Sequence, residues 1–475
     1  MGKLRPLMNR IFCAAGANAI SLIVSVLTTL LIPKFLGANI EQYGYYQIYL
    51  FYTGYIGFFH LGWSDGIYLR FGGQHYEDLD KPIFSSQFWL LTLFEGFIST
   101  GIIISGIYMG KNSDELFVFV VVAVNVFLLL PRVQLSYYLQ ATNRIKEYAL
   151  ITASARFLFG VSVVAIFVFQ KIPDYRWFVY SSIIGEIVAL LLSMWFCRDI
   201  VKTKPIQIKA GLGEAWTNIS VGITLMLANI ASLLVVGIAR WGIQMVWDVE
   251  TYGKISFTLT VSNLFLTFIG AISLVLFPTL RRISPDKLQS VYCSLRGGLM
   301  IPILASLILY YPILSILSKW LPQYAGSMRY MAIMFPLCIF SCRMNMLVQT
   351  YMRVLRMEKV IMLVNITGVI LASVSTFVFT FLMKSMTLTM VSIMLNEMIR
   401  CVLAEICLTK RIGLSVQKDL LFELAMTTLF VVSSWCIGGW MGTAAYTIGY
   451  ALYLFLKIPD IKKIIIDTKN MLREA

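Results

Sequence analysis

The sequence predicts an all-α integral membrane protein of about 14 transmembrane helices. These form two six-helix bundles related by pseudo-two-fold symmetry along the membrane normal, with a C-terminal helix pair added. Three observations predict this class. Of 475 residues, 59% are hydrophobic and only 13% are charged, with a mean hydropathy of +0.79, more apolar surface than a soluble chain of this length can bury. Apolar runs of helix-spanning length recur along the whole chain. The pattern also restarts: Tyr43-Gly44 and Tyr252-Gly253 open equivalent runs, offset by about 209 residues.

The runs come in order near 11–33, 43–66, 84–109, 115–138, 147–169 and 176–197. They resume near 217–239, 252–278, 291–313, 325–350, 359–383 and 387–409, and a last pair lies near 419–438 and 442–457. Each is roughly 20 residues, the length that crosses the hydrocarbon core as a helix. Barrel strands alternate polar and apolar residues over about ten residues, so a closed barrel is excluded. The first run has a basic start but no small-residue cleavage site and matches the run at Ile219, so it reads as a spanning helix. The expected organisation is an N-terminal bundle over 1–200, a linker over 201–215, a second bundle over 216–412, and an extra helix pair with a basic tail over 413–475.

Basic residues set the orientation. Lys3, Arg5 and Arg10 precede the first run, and Arg144, Lys146, Lys202, Lys204 and Lys209 fall in later even-numbered loops. Arg281, Arg282, Lys287, Arg353, Arg356, Lys359, Lys410, Arg411 and Lys418 continue the series. Odd-numbered loops are poor in Lys and Arg, so both termini are expected in the cytoplasm. The tail from Ile458 is amphipathic and basic and is expected along the anionic inner leaflet. This distribution accounts for the net charge of +15 without nucleic acid.

Enzyme classes find little support. There is no nucleophile elbow, phosphate-binding glycine loop or C-x-x-C, and only His60 and His75 could supply imidazole. Cys338 and Cys342, four apart, read as one packed helix face, and Gly54 and Gly57 as close helix contacts. No catalytic residue, metal site or cofactor is expected.

The informative residues are charges at membrane depth, each costing roughly 2.5–3.5 kcal/mol unless it has a partner, a wet cavity or a task. Arg132 and Arg343 sit at equivalent depths in the two halves, as do Glu186 and Glu397, while Arg156 and Glu95 stand alone. Arg132, Arg156 and Arg343 are candidates for a cationic cavity that takes an anionic substrate. Glu186, Glu397, Glu95 and Arg400 are candidates for ion coupling or for structural pairing; Arg400 is three residues from Glu397 and suited to neutralise it. Hydroxyl stripes such as Ser21/Ser25/Thr28, Thr217/Ser220/Thr224 and Tyr148/Thr152 either line that cavity or bond between helices.

Three stretches carry a resemblance: "YYLQATNRIKEYA" (Tyr137 to Ala149), "YGKISFTLTVSNLFLTFIGAISLVLFPTLRR" (Tyr252 to Arg282) and "GWSDGIYLRFGG" (Gly62 to Gly73). The chain resembles, over essentially its whole length, the polysaccharide-transport branch of the multidrug/oligosaccharidyl-lipid/polysaccharide exporter superfamily, the Wzx-type flippases. The resemblance implies translocation of undecaprenyl-diphosphate-linked oligosaccharides across a bacterial plasma membrane for capsule, O-antigen or related polymers. It also implies a polysaccharide polymerase as a partner, and a coupling ion, H+ or Na+, that the sequence does not specify. Alternatives are a multidrug or lipid II exporter of the same superfamily, or a lipid-linked-sugar polymerase or ligase. The short external loops disfavour the last.

Overall fold

The computed structural model describes residues 21–110, 112–280 and 288–474, with side chains described in these ranges except at 265–280 and 460–474. The described residues are helical and contain no strand. Ten of their helices are long and apolar enough to cross a membrane. Each expected run maps onto one or more helices where it is described. The basic N-terminus and Arg281, Arg282 and Lys287 lie outside the described residues.

The helices are α1 (Ser21–Ala38), α2 (Ile40–Thr53), α3 (Trp63–Phe71), α4 (Lys81–Met109), α5 (Ser113–Ala141), α6 (Ile145–Phe169), α7 (Arg176–Phe196) and α8 (Ile208–Val246). There follow α9 (Val249–Leu280), α10 (Leu288–Trp320), α11 (Met331–Val354), α12 (Glu358–Leu382), α13 (Met386–Ile412), α14 (Gln417–Ile437) and α15 (Gly439–Glu474). The chain divides into two compact units, Met1–Ile230 with Val249–Gly253, and Ala231–Asp248 with Lys254–Ala475.

Two boundaries differ from expectation. The run 43–66 is two helices, because the chain turns at Leu61 (φ 53°) and Gly62 (φ 82°), where the left-handed backbone suits glycine. And α8 starts at Ile208, inside the expected linker. Hydropathy marks where lipid begins, not where backbone hydrogen bonding begins, so an amphipathic extension is invisible to it. The remaining linker is docked on α4: Ser85 Oγ donates to the Thr203 carbonyl at 2.7 Å, and Ile206 N donates to Ser86 Oγ at 2.7 Å.

In the first unit, α4 packs on α5, α6 on α7, and α3 and α7 on α5. Local sequence starts these helices where expected: Asp80 caps α4, and Asn112 caps α5 through Glu115 N at 2.7 Å. Trp63, Ile67, Phe84, Phe88, Leu135, Tyr138, Leu139, Ile151 and Ile200 form one buried cluster. The closest helix contact joins α3 to α8. A Cβ on Gly66 would fall 1.8 Å from the Asn218 carbonyl oxygen, and one on Gly222 would fall 2.0 Å from that of Gly62. The expected pair Gly54 and Gly57 meets no neighbouring helix; Gly57 has no atom within 4 Å of its would-be Cβ.

In the second unit α11 is the central helix, with 94% of its spanning window buried. Cys338 and Cys342 lie buried along it. Its hydrogen bonding widens to a π-turn over Arg343–Val348, a local register change that re-aims side chains. Around it pack Tyr292 of α10, Val364 of α12, Cys401, Ala404 and Leu408 of α13, and Leu420 of α14.

Candidate functional site

The membrane-depth charges differ between the two units. In the second unit they are consumed by ion pairs. Arg343, 1% exposed, donates from Nη1 to Glu423 Oε2 at 2.5 Å and lies 3.5 Å from Glu405 Oε2. Arg296 binds Glu405 Oε1 at 2.7 Å and grips both oxygens of Glu423, at 2.7 and 2.9 Å. Tyr292 adds a hydroxyl donor to Glu405 at 2.8 Å. Asp419, 3.5 Å from Arg296 Nη1 and paired with Lys457, extends the network, so that three cations meet three carboxylates and the cluster is neutral, as burial demands. Arg343 is therefore not offered to a cavity, contrary to the sequence expectation, and Glu423 of α14 ties the terminal helices into the unit.

Glu397 is paired as its neighbour suggested. Arg400 Nη2 donates to Glu397 Oε1 at 2.5 Å, and Ser341 Oγ donates to the same oxygen at 3.0 Å. Arg400 Nη1 reaches Ser232 Oγ of α8 at 2.7 Å and Asn365 Oδ1 of α12 at 3.3 Å. Gly368 makes room for this arginine, its would-be Cβ lying 3.1 Å from Arg400 Cδ.

The first unit is different. Arg132 Nε donates to Glu186 Oε2 at 2.7 Å, joining α5 to α7, but this pair keeps side-chain exposures of 14% and 18%. On α2, Tyr43, Tyr46 and Tyr49 form a ladder with ring centroids 6.4 and 6.3 Å apart. Asn125 Nδ2 of α5 donates to Tyr49 Oη at 3.1 Å.

Arg156 of α6 lies near the Tyr46 hydroxyl. Among the described residues it has no hydrogen bond or ion pair, and it is exposed. The exposed apolar stripe of α6 is Leu150, Phe157, Val161, Val164 and Val168. By helical geometry Arg156 is off that stripe, on the side shared by Ala149, Gly160 and Val163. Those three are buried, and a Cβ on Gly160 would meet α1 at Val24, 2.7 Å away.

Glu95 is fully buried in α4, and neither carboxyl oxygen has a hydrogen-bond partner among the described residues. Where their bonds are seen, the hydroxyl stripes do not bond between helices. Thr28, Thr152, Thr217 and Ser220 each donate to a carbonyl of their own helix.

Two features escaped the sequence reading. The tyrosine ladder was legible as three tyrosines at i, i+3 and i+6. A buried His60–Asp65 contact at the α2–α3 break, with Nε2 and Oδ2 3.9 Å apart, was not.

The molecule is a multi-pass helical membrane protein. Comparison with solved structures gives its fold a counterpart. The chain is similar to an inward-facing multidrug resistance MATE family transporter of the MOP superfamily, with a TM-score of 0.63 and 12% identity over 83% of this chain and 98% of that one. It is similar to the lipid II flippase MurJ in an inward closed conformation, with a TM-score of 0.59 and 13% identity over 95% and 100%. A MATE structure in the straight conformation gives 0.55 and 11% over 84% and 96%. No protein-family model matches the sequence, and no curated protein is similar to it by sequence. The fold is thus that of the MATE and MurJ transporters.

Proposed function

We propose that the chain is a flippase, not an enzyme. It moves undecaprenyl-diphosphate-linked oligosaccharide repeat units from the inner to the outer leaflet of a bacterial plasma membrane, with both termini in the cytoplasm. The observation that carries this reading is Arg156, an exposed guanidinium at membrane depth with no protein partner among the described residues. Holding such a charge there is costly unless an anion uses it, and a guanidinium fork suits a diphosphate.

Arg132 is the second holder. Its pair with Glu186 is accessible enough for a phosphate oxygen to take the carboxylate's place. The tyrosine ladder offers flat faces and hydroxyls for sugar rings, while the prenyl tail stays in lipid. The likeness to a lipid II flippase supports a lipid-linked substrate. A multidrug exporter for cations is disfavoured, because Glu186 and Glu397 are both held by arginines. A polysaccharide polymerase would take the product on the outer face.

The test is the lipid-linked species that builds up in cells lacking the protein. A complete undecaprenyl-diphosphate oligosaccharide on the inner leaflet is expected. Accumulation of lipid II would move the assignment to cell-wall precursor, and no lipid-linked species at all would refute it.

A further inference from the structure

The acids at membrane depth mostly have their cations: Glu186 has Arg132, Glu397 has Arg400, and Glu405 and Glu423 share Arg296 and Arg343. Asp65 does not. It is 7% exposed on the first turn of α3, and its described partners are Tyr137 Oη, which donates to Oδ1 at 3.3 Å, and His60 Nε2, 3.9 Å from Oδ2. The nearest cation along the helix, Arg70, is turned to α8, where it meets Glu214 Oε1 at 2.7 Å and Asn218 Oδ1 at 2.5 Å. From α5 the facing titratable group is Tyr137, with the Tyr68 ring of α3 tilted against it at 5.7 Å and Tyr148 of α6 nearby. From α4, Gln87 accepts from Trp63 Nε1 at 2.7 Å.

His60 does not supply the missing charge. Its Nδ1 accepts the Gly62 N–H at 3.0 Å, so the ring is the neutral tautomer with its proton on Nε2, aimed at Asp65. An ionised Asp65 would then leave one uncompensated charge in the protein interior, at a cost of several kcal/mol. A proton on Asp65 removes that cost.

The position matters as much as the charge. Asp65 precedes Gly66, whose Cα rests against Asn218 of α8, and follows the turn at Leu61-Gly62. Breaks of this kind in membrane helices are where binding groups and movement are built. Glu95 also lacks a cation, but it lies within the unbroken α4, away from any such break.

We propose that Asp65, seated by His60 and Tyr137 at the break between α2 and α3, is the chain's proton-binding site, and that release of its proton loosens the α3–α8 seam. This rests on the transporter reading for its purpose and names H+ as the coupling ion, but its test needs no substrate. Spin labels on Leu69→Cys and Leu212→Cys, both exposed positions, report the seam in phosphatidylethanolamine–phosphatidylglycerol vesicles as pH is varied. The inter-label distance should lengthen as pH rises, and Asp65→Asn should hold it at the low-pH value. His60→Gln should move the midpoint by about one pH unit, tenfold in proton affinity, and this variant carries the test if Asp65→Asn folds poorly. Infrared spectra of the unlabelled protein should show a carboxylic-acid carbonyl band that titrates with the same midpoint and is absent in Asp65→Asn. Loss of that band in Glu95→Gln instead, or a seam that follows sodium at fixed pH, would overturn the proposal.

Discussion

The Arg296 guanidinium holds the Glu423 carboxylate by two parallel hydrogen bonds, of 2.7 and 2.9 Å, and both side chains are at most 4% exposed. This fork joins α10 to α14, a helix that the internal repeat leaves unmatched. Helices outside a repeat invite the expectation that they are dispensable. The fork says otherwise, because removing one partner of a buried pair strands the other. Glu423→Gln should cost about 3–5 kcal/mol, and truncation after Leu414 should abolish monodisperse protein in detergent. Truncated protein that melts at the full-length temperature would refute the clamp.

The α3–α8 seam makes a second, purely steric prediction. Gly222→Ala pushes a methyl against the backbone of Gly62 and Gly66, which cannot swing aside as a side-chain tip would. Overpacking of this kind costs about 1–3 kcal/mol. Gly57→Ala, with open space around it, should stay within about 0.5 kcal/mol of wild type. Thermal melts of the two variants in one lipid mixture make the comparison.

Arg132 and Glu186 separate stability from transport. If Glu186 only keeps Arg132 in place until a phosphate arrives, Arg132→Gln should lower folded yield, and adding Glu186→Gln should restore it. Flipping by the double variant, normalised to folded protein, should still fall at least tenfold. Yield and flipping recovering together would make the pair structural alone.

Much of this molecule is readable from sequence, and what is missed shares one cause. Hydropathy finds the spanning helices because lipid selects composition along the chain. It finds the unusual charges for the same reason, since Arg132, Arg156 and Arg343 all interrupt apolar runs. What it cannot find is a partner. Arg343 matches Arg132 in depth, yet its carboxylate is on Glu423, 80 residues onward in a different helix. Arg156 has the same sequence signature as Arg343 and the opposite fate. The α2–α3 break was half-legible: Gly54, Gly57 and Gly62 signal it, but continuous hydrophobicity hides it. The His60–Asp65 contact depends on that turn and is visible only once the turn is drawn.

The claim that matters most is that Arg156 is left unpaired for an anionic head group. It is tested by flipping of lipid-linked oligosaccharide in proteoliposomes containing Arg156→Gln, normalised to folded protein. Loss of a charge-assisted phosphate contact is worth about 1.5–3 kcal/mol, so flipping should fall tenfold or more while the melting temperature is unchanged, with Arg156→Lys in between. A folded Arg156→Gln protein that flips at the wild-type rate would contradict the account.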